Sequence, residues 1–262
     1  MFKAGGKLPG PVYARSPVEK TRRVGIKSLT GEEISYNLSL LYFFNVAESK
    51  LSLTRNGKGQ LEANFFARTK GLANWVLTPR KHYLRTVFKE SGGRLRPLFH
   101  ENRIIKGDKQ KTSRYRFDYQ QKILVRKVAV GNRRPRKKIF PFPETGEFND
   151  VLSVFYNLRS YYELTPGKKF NLYGLPGKKK SSVYHLIILT EKEKKKNSFW
   201  SDRPREARTL IRAVIDSDVF GTKKGLFWFF FDRKMVPIYG VAEDAVARGD
   251  IKGVMTSRKR GG

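Results

Sequence analysis

The stretch "NDVLSVFYNLRSYYELTPGKKF", residues 149–170, decides the fold. Val151, Val154, Phe155, Leu158 and Tyr162 recur at i, i+3, i+4, i+7 and i+11, the spacing of one face of an α-helix. Asp150 supplies a carboxylate to cap the first turn, and Thr165-Pro166-Gly167 stops the helix. The spacing predicts one amphipathic helix over 150–162. Arg159 stands beside the apolar stripe, where its guanidinium must reach a carboxylate or a group of backbone carbonyls. A structural ion pair and an anion-ligand role are both open readings of that arginine.

A helix with one greasy face needs a surface to cover, and the flanking sequence supplies strands. Ile34, Tyr36, Leu38 and Leu40 alternate with Ser35, Asn37 and Ser39, which is strand period two. In "SRYRFDY", Tyr115, Phe117 and Tyr119 share one face and Arg114, Arg116 and Asp118 the other. "RNGKG" (55–59) and Ser91-Gly92-Gly93 are hairpin signals. "GLANWVLTPRKHY" (71–83) breaks the alternation and fits a short helical turn ending before Pro79. This pattern predicts roughly ten strands joined by short turns and no alternating helices. The expected fold is all-β: a strongly curved antiparallel sheet or open barrel in one domain. The helix would pack as a plug on its concave side or open end. Residues 1–30 read as an extended basic Gly/Pro-containing arm, 31–256 as the β domain, and 257–262 as a basic tail.

Composition narrows the chemistry. The 262 residues are 39% hydrophobic and 13% aromatic, enough for a core. Lys+Arg number 55 against 23 Asp+Glu, a formal charge of +32, which attracts polyanions through space. Cysteine is absent, which excludes disulfides, thiolate catalysis and cysteine-bearing metal sites. The longest apolar runs, "LSLLYFF" and "GLFWFFF", fall far short of the ~18 residues a membrane-spanning helix needs. Residues 1–30 carry no apolar core of a signal peptide, so the sequence as it stands reads as cytoplasmic or as a chain whose export signal has been removed.

The order of segments resembles the DUF3108 family of bacterial envelope proteins. The matching residues are "GEEISYNLSLLYFFNVAESKLSL" (31–53), "ARTKGLANWVLTPRKHYLRTVF" (67–88) and "RLRPLFHENRIIKGDKQKTSRYRFDYQQK" (94–122). "DVLSVFYNLRS" followed by "LTPGKKFNL" (150–172) and the closing "FWFFFDRKMVPIYGVAE" complete them. The resemblance covers about residues 31–256 and implies an exported, periplasmic or outer-membrane-associated, mostly β protein without a known catalytic apparatus. The chain departs from the family expectation in being far more basic and in showing no export signal.

No catalytic constellation emerges. His82, His100 and His185 stand on separate predicted strands without metal-ligand spacing. His100 and Glu101 are adjacent and so face opposite sides of a strand. "YGLPGKKKSS" (173–182) lacks the spacing of a phosphate loop. We therefore expect a non-enzyme without cofactor or metal. Trp75, Tyr115, Phe117, Tyr119 and Arg159 are the candidate ligand-binding residues, as inward aromatics and a guanidinium on a curved sheet. Arg133, Arg134, Arg136, Lys137 and Lys138, with Lys178, Lys179 and Lys180, are the candidate polyanion-binding residues in predicted basic loops, and the basic run "EKEKKKN" (191–197) reads as a further loop. The expected partner is a lipid head group, an anionic glycan or an acidic protein. Nucleic acid ranks lower, because the aromatics point inward and are not interleaved with the basic runs. The readings that compete with a binding protein are a nucleic-acid-associated protein and a scaffold subunit docking on an acidic partner.

Overall fold

The computed structural model describes residues 23–40, 43–70, 79–177, 182–220, 222–246 and 249–260. They form one antiparallel sheet of fourteen strands. The N-terminal half consists of β1 (Glu32–Leu40), β2 (Phe43–Arg55), β3 (Leu61–Thr69), β4 (Arg80–Ser91), β5 (Arg94–Lys106), β6 (Lys109–Asp118), β7 (Ile123–Val130) and β8 (Arg136–Pro141). The C-terminal half consists of β9 (Lys169–Gly174), β10 (Ser182–Ile188), β11 (Thr209–Val214), β12 (Leu226–Phe231), β13 (Pro237–Val246) and β14 (Gly249–Lys259). Each half is a meander, and β1 joins them by pairing with β2 on one side and β14 on the other. Strands β8 and β9 are the two outer edges, and no ladder joins them.

Turn chemistry explains the meander. Gly92 and Gly93 both have positive φ, +59° and +75°, which gives β4 and β5 the two-residue hairpin that twisted strands prefer. The Asn-Gly signal at 56–57 behaves differently. Its loop runs from Asn56 to Gln60, and the Asn56 side-chain oxygen accepts from the backbone N–H groups of Lys58 and Gln60.

The sheet curls around the helix α2 (Val151–Ser160), which follows a four-residue helix α1 (Ile26–Leu29) at the start of the described chain. Asp150 caps α2 through the backbone N–H groups of Leu152 and Ser153. The apolar side of α2 packs in a core with Leu51, Leu53, Leu84, Leu95, Ile211 and Phe231, drawn from both halves of the sheet. Its polar side is buried as well: Ser153, Asn157 and Arg159 are each 0% exposed. The helix is therefore a plug enclosed by the sheet, with hydrogen bonds on the side that the sequence pattern assigns to solvent.

Between the edges, side chains and the segment before α2 replace the missing ladder. Asn149 forms a single parallel bridge to Gly174, its N–H donating to the Tyr173 carbonyl at 2.7 Å. Gly174 is required there, since a Cβ would stand 2.4 Å from the Tyr184 ring. Tyr115, Phe117 and Leu124 from β6 and β7 pack with Phe148 and Leu175 to fill the seam. On the outer face, α3 (Glu191–Lys196) and α4 (Ser198–Ser201) carry Phe199 and Trp200 onto Trp228 and Phe230 of β12.

Four sequence expectations change. The described part of the N-terminal arm is folded, with Ile26 and Leu29 in the main core. The basic tail is strand: Ser257, Arg258 and Lys259 belong to β14 and pair with Ser35, Ile34 and Glu33. The basic run 191–197 is helical, because Thr190 and Glu193 form a reciprocal capping box. Part of the predicted basic loop is the edge strand β8. The helical turn expected within 71–78 lies outside the described residues.

One ion pair ties α2 to the junction of the two halves. Arg159 donates from Nη1 and Nη2 to the Glu32 carboxylate at 2.5 and 2.9 Å, and from Nε to the Met235 carbonyl at 2.8 Å. Arg258 of β14 reaches the same carboxylate at 2.6 Å. Burial alone would raise the Glu32 pKa, but the two arginines outweigh it and hold the carboxylate below its usual range. Removing one member of such a pair leaves a buried charge unpaired, at a cost of about 3–5 kcal/mol. Arg159→Met should lower stability by that amount in urea unfolding at neutral pH, and adding Glu32→Leu should recover part of the loss. Because the folded pKa of Glu32 is depressed, its contribution is complete above the unfolded carboxyl pKa of ~4.3 and is lost as pH falls through the folded value. The wild-type unfolding midpoint should therefore fall with acid more steeply than that of the double variant.

Candidate functional site

Inside the curl, next to α2, lies a cavity of about 350 Å³. Its wall is built by period two: inward residues of β2–β4 and β12, such as Leu51, Phe65, Leu84, Phe227 and Phe229, face Phe155 of α2. Small residues leave the space open. Ala47, Ala67, Ala242, Gly240 and Gly253 all border it, and a Cβ on Gly253 would stand 3.0 Å from Leu38 Cδ2. The lining is almost wholly apolar.

Among the described residues the cavity has a closed end and an open one. Along β4 the inward side chains pass from half-buried Arg80 through His82 (6% exposed) and Leu84 to Thr86 and Phe88, which are sealed. At the sealed end, α1 adds Ile26 and Leu29 beside Leu53 and Leu61. At the other end, the short helix α5 (Ser217–Phe220) brings Phe220 against Phe65, His82 and Phe227. His82 bonds Asn102 Oδ1 at 2.9 Å, and burial together with the charge of Arg80 pushes its pKa down to about 4. It is therefore neutral near pH 7.

A second buried polar group stands at the start of α2. Thr86 Oγ1 donates to Asp150 Oδ1 at 2.7 Å and lies 2.8 Å from His100 Nδ1, so a chain runs from His100 through Thr86 to Asp150. Burial opposes ionisation of Asp150, but the charge and hydrogen bonds of His100, with Thr86 and the Ser153 N–H, hold its pKa below the usual range. His100 also borders a small pocket of mixed polarity with Ser113, Tyr115 and Asp216. The pocket holds about 40 Å³, space for a few waters and too little for a substrate. Among the described residues, no group of three or more acidic or histidine side chains converges as a metal site would need.

The sequence-selected residues fall elsewhere. Trp75 lies outside the described residues. Tyr115 and Phe117 are buried in the seam, where they replace the missing ladder and do not line the large cavity. Tyr119 is half-buried at the same seam: its hydroxyl donates to the Pro97 carbonyl, and the Arg96 guanidinium lies 4.1 Å from its ring centre. Arg159 has its side chain committed to Glu32 and Met235, so the ion pair takes the place of the anion-ligand role. The cavity wall was missed because its residues read as ordinary strand core. The one available signal was a set of alanines and glycines at inward positions.

The basic residues do not converge. Arg133 and Arg134 lie in a turn, and β8 turns Lys137 to one face while Arg136 and Lys138 take the other. Exposed cations on a sheet edge also keep other strands from adding to it. Lys178, Lys179 and Lys180 lie outside the described residues.

Comparison with known proteins adds a family. The family model described as a protein of unknown function, DUF3108, matches residues 33–256. Among solved structures, the beta-barrel-like protein of domain of unknown function DUF1849 from Brucella abortus is similar with a TM-score of 0.49 at 8% identity. The match covers 88% of this chain and 98% of that one. No curated protein matches.

The two faces of β8 make a diffuse positive field the expected behaviour of the 133–138 segment. Replacing Arg133, Arg134, Arg136, Lys137 and Lys138 with Gln should weaken binding to a polyanion such as heparin. Replacing five exposed cations elsewhere, Lys192, Lys195, Lys196, Arg233 and Lys234, should weaken it by the same factor, read from log affinity against log salt. A larger loss for the 133–138 variant alone would show a localised site.

Proposed function

This chain belongs to the DUF3108 family, and we propose that it is a non-catalytic binding protein of the bacterial envelope that holds an apolar ligand, a lipid chain, inside its curled sheet. The observation that carries this reading is the 350 Å³ apolar cavity. Small-molecule sites are concave, largely apolar and on the order of 300–1,000 Å³. Energetics point the same way: an apolar ligand would cover apolar wall that otherwise faces water, a gain of about 25 cal/mol per Å² of apolar surface buried. A glycan fits less well, because its hydroxyls would find almost no hydrogen-bond partners on this wall.

The envelope location is part of the same proposal and rests on the family resemblance. Subcellular fractionation of the protein expressed from its own gene should place it in the envelope fraction.

Ala67 tests the cavity. Ala67→Phe would fill space next to Phe65, so it should leave the unfolding midpoint unchanged or raise it, where overpacking a filled core would cost ~1–3 kcal/mol. The same change should weaken binding of an apolar fluorescent probe such as N-phenyl-1-naphthylamine at least about ten-fold. Native mass spectrometry of protein taken from its own host should show a non-covalent adduct that the variant lacks. Ligand-free wild-type protein after gentle extraction, together with probe binding that Ala67→Phe does not alter, would remove the proposal.

A further inference from the structure

We infer that the ligand is an amphiphile with an anionic head, a carboxylate or a phosphate, and that Arg80 binds that head at the open end of the cavity. The inference rests on the cavity reading above and adds a head group to it.

Arg80 opens β4, points inward with His82 and Leu84, and borders the cavity. Its backbone N–H donates to Thr69 Oγ1 at 3.0 Å, and Nη2 donates to the Phe220 carbonyl at 2.9 Å. A guanidinium has five N–H donors, and among the described residues this is the one bond it makes. Burial is the cause that moves its pKa, downward, and no described carboxylate offsets it. The neighbouring cations are accounted for differently. Arg68 also borders the cavity but is exposed and paired with Glu48, Arg85 is paired with Glu62, and buried Arg159 is paired with Glu32. His82, one strand step deeper, carries no charge near neutral pH.

Arg80 is thus a half-desolvated cation whose donors, among the described residues, are mostly unused, at the mouth of an apolar cavity. A neutral hydrocarbon would leave its donors unused. A carboxylate or phosphate would accept two of them side by side, with its chain lying against Phe65, Phe155 and Phe229. Tail and head are then recognised by different parts of one site, one by area and one by charge.

The test compares twelve-carbon ligands that differ only in their heads, measured by displacement of N-phenyl-1-naphthylamine from the full chain. Dodecanoate or dodecyl phosphate should displace the probe at about ten-fold lower concentration than dodecan-1-ol, the size of one charge-assisted hydrogen-bonded pair. The tighter of the two names the head. Arg80→Gln should abolish the preference while the alcohol's affinity stays within about two-fold. Arg80→Lys should keep part of the preference, since a charge without the planar fork remains. Retained alcohol affinity also reports that a variant is folded. Should wild type bind acid and alcohol alike, or Arg80→Gln keep the preference, Arg80 is not a head-group residue, although the cavity reading survives. If inorganic phosphate alone competes at the same concentration as dodecyl phosphate, the site is a simple anion site and the inference is overturned. If neither acid nor alcohol displaces the probe, the cavity reading falls and takes this one with it.

Discussion

The structure depends on one buried guanidinium. Arg159 is enclosed at the end of α2, and its partners come from places far apart in the chain: Glu32 at the start of β1, Met235 before β13, and Arg258 of β14 through the shared carboxylate. The same residue's carbonyl accepts from Val24, which ties down the segment leading into α1. A buried ion pair seldom adds much net stability, because desolvation offsets the attraction. It does penalise every arrangement that leaves either charge alone. Here that penalty selects one position of the plug relative to the strand pair that unites the two halves of the sheet.

With the plug set in place, the open seam becomes tolerable. An antiparallel sheet this long either closes or exposes its edges, and exposed edges invite other strands. This sheet instead bends until β6 and β7 meet the end of β9. There the Tyr115 hydroxyl and Arg126 donate to the carbonyls of Pro176 and Gly177 in place of a ladder. On the outward edge β8 presents Arg136, Lys137 and Lys138, whose charges discourage pairing with another chain. Much of the basic character of this region is consistent with protecting an edge, and a convergent site is not needed to explain it.

The plug also explains why there is a cavity. A ten-residue helix cannot fill the lumen that fourteen strands enclose. Its polar side is bonded to Leu95 through Asn157 and to Thr86 through Asp150, which draws it toward β4 and β5. Space remains on the side of β1, β2, β13 and β14, where Ala47, Ala242, Gly240 and Gly253 do not fill it. The same hydrogen bonds that hold the plug therefore place the cavity.

Local features were legible in the amino-acid sequence. Period two in β1 and β6, the turns at 56–59 and 92–93, and the cap and stop of α2 are all set by neighbours within a few residues. The all-β class, the lone central helix and the family could be read from them. Strands β8 and β14 were not legible, because lysine and arginine weaken their alternation and pairing with β7 and β1 is what makes them strands. Nor was the burial of the helix's polar side, since Glu32, Thr86, Leu95 and Met235 lie far from it in sequence and only the curl brings them there. The site depends on the same long-range geometry. Tyr115 and Phe117 are inward, as their alternation shows, yet an inward side chain faces the seam or the cavity according to where its strand lies on the curve. Arg80 resembles any strand-end arginine in sequence, and its desolvated position beside an apolar space exists only once β1–β4, α2 and α5 are assembled. Periodicity acts over a few residues, whereas a cavity is a property of the whole curled sheet and the helix inside it.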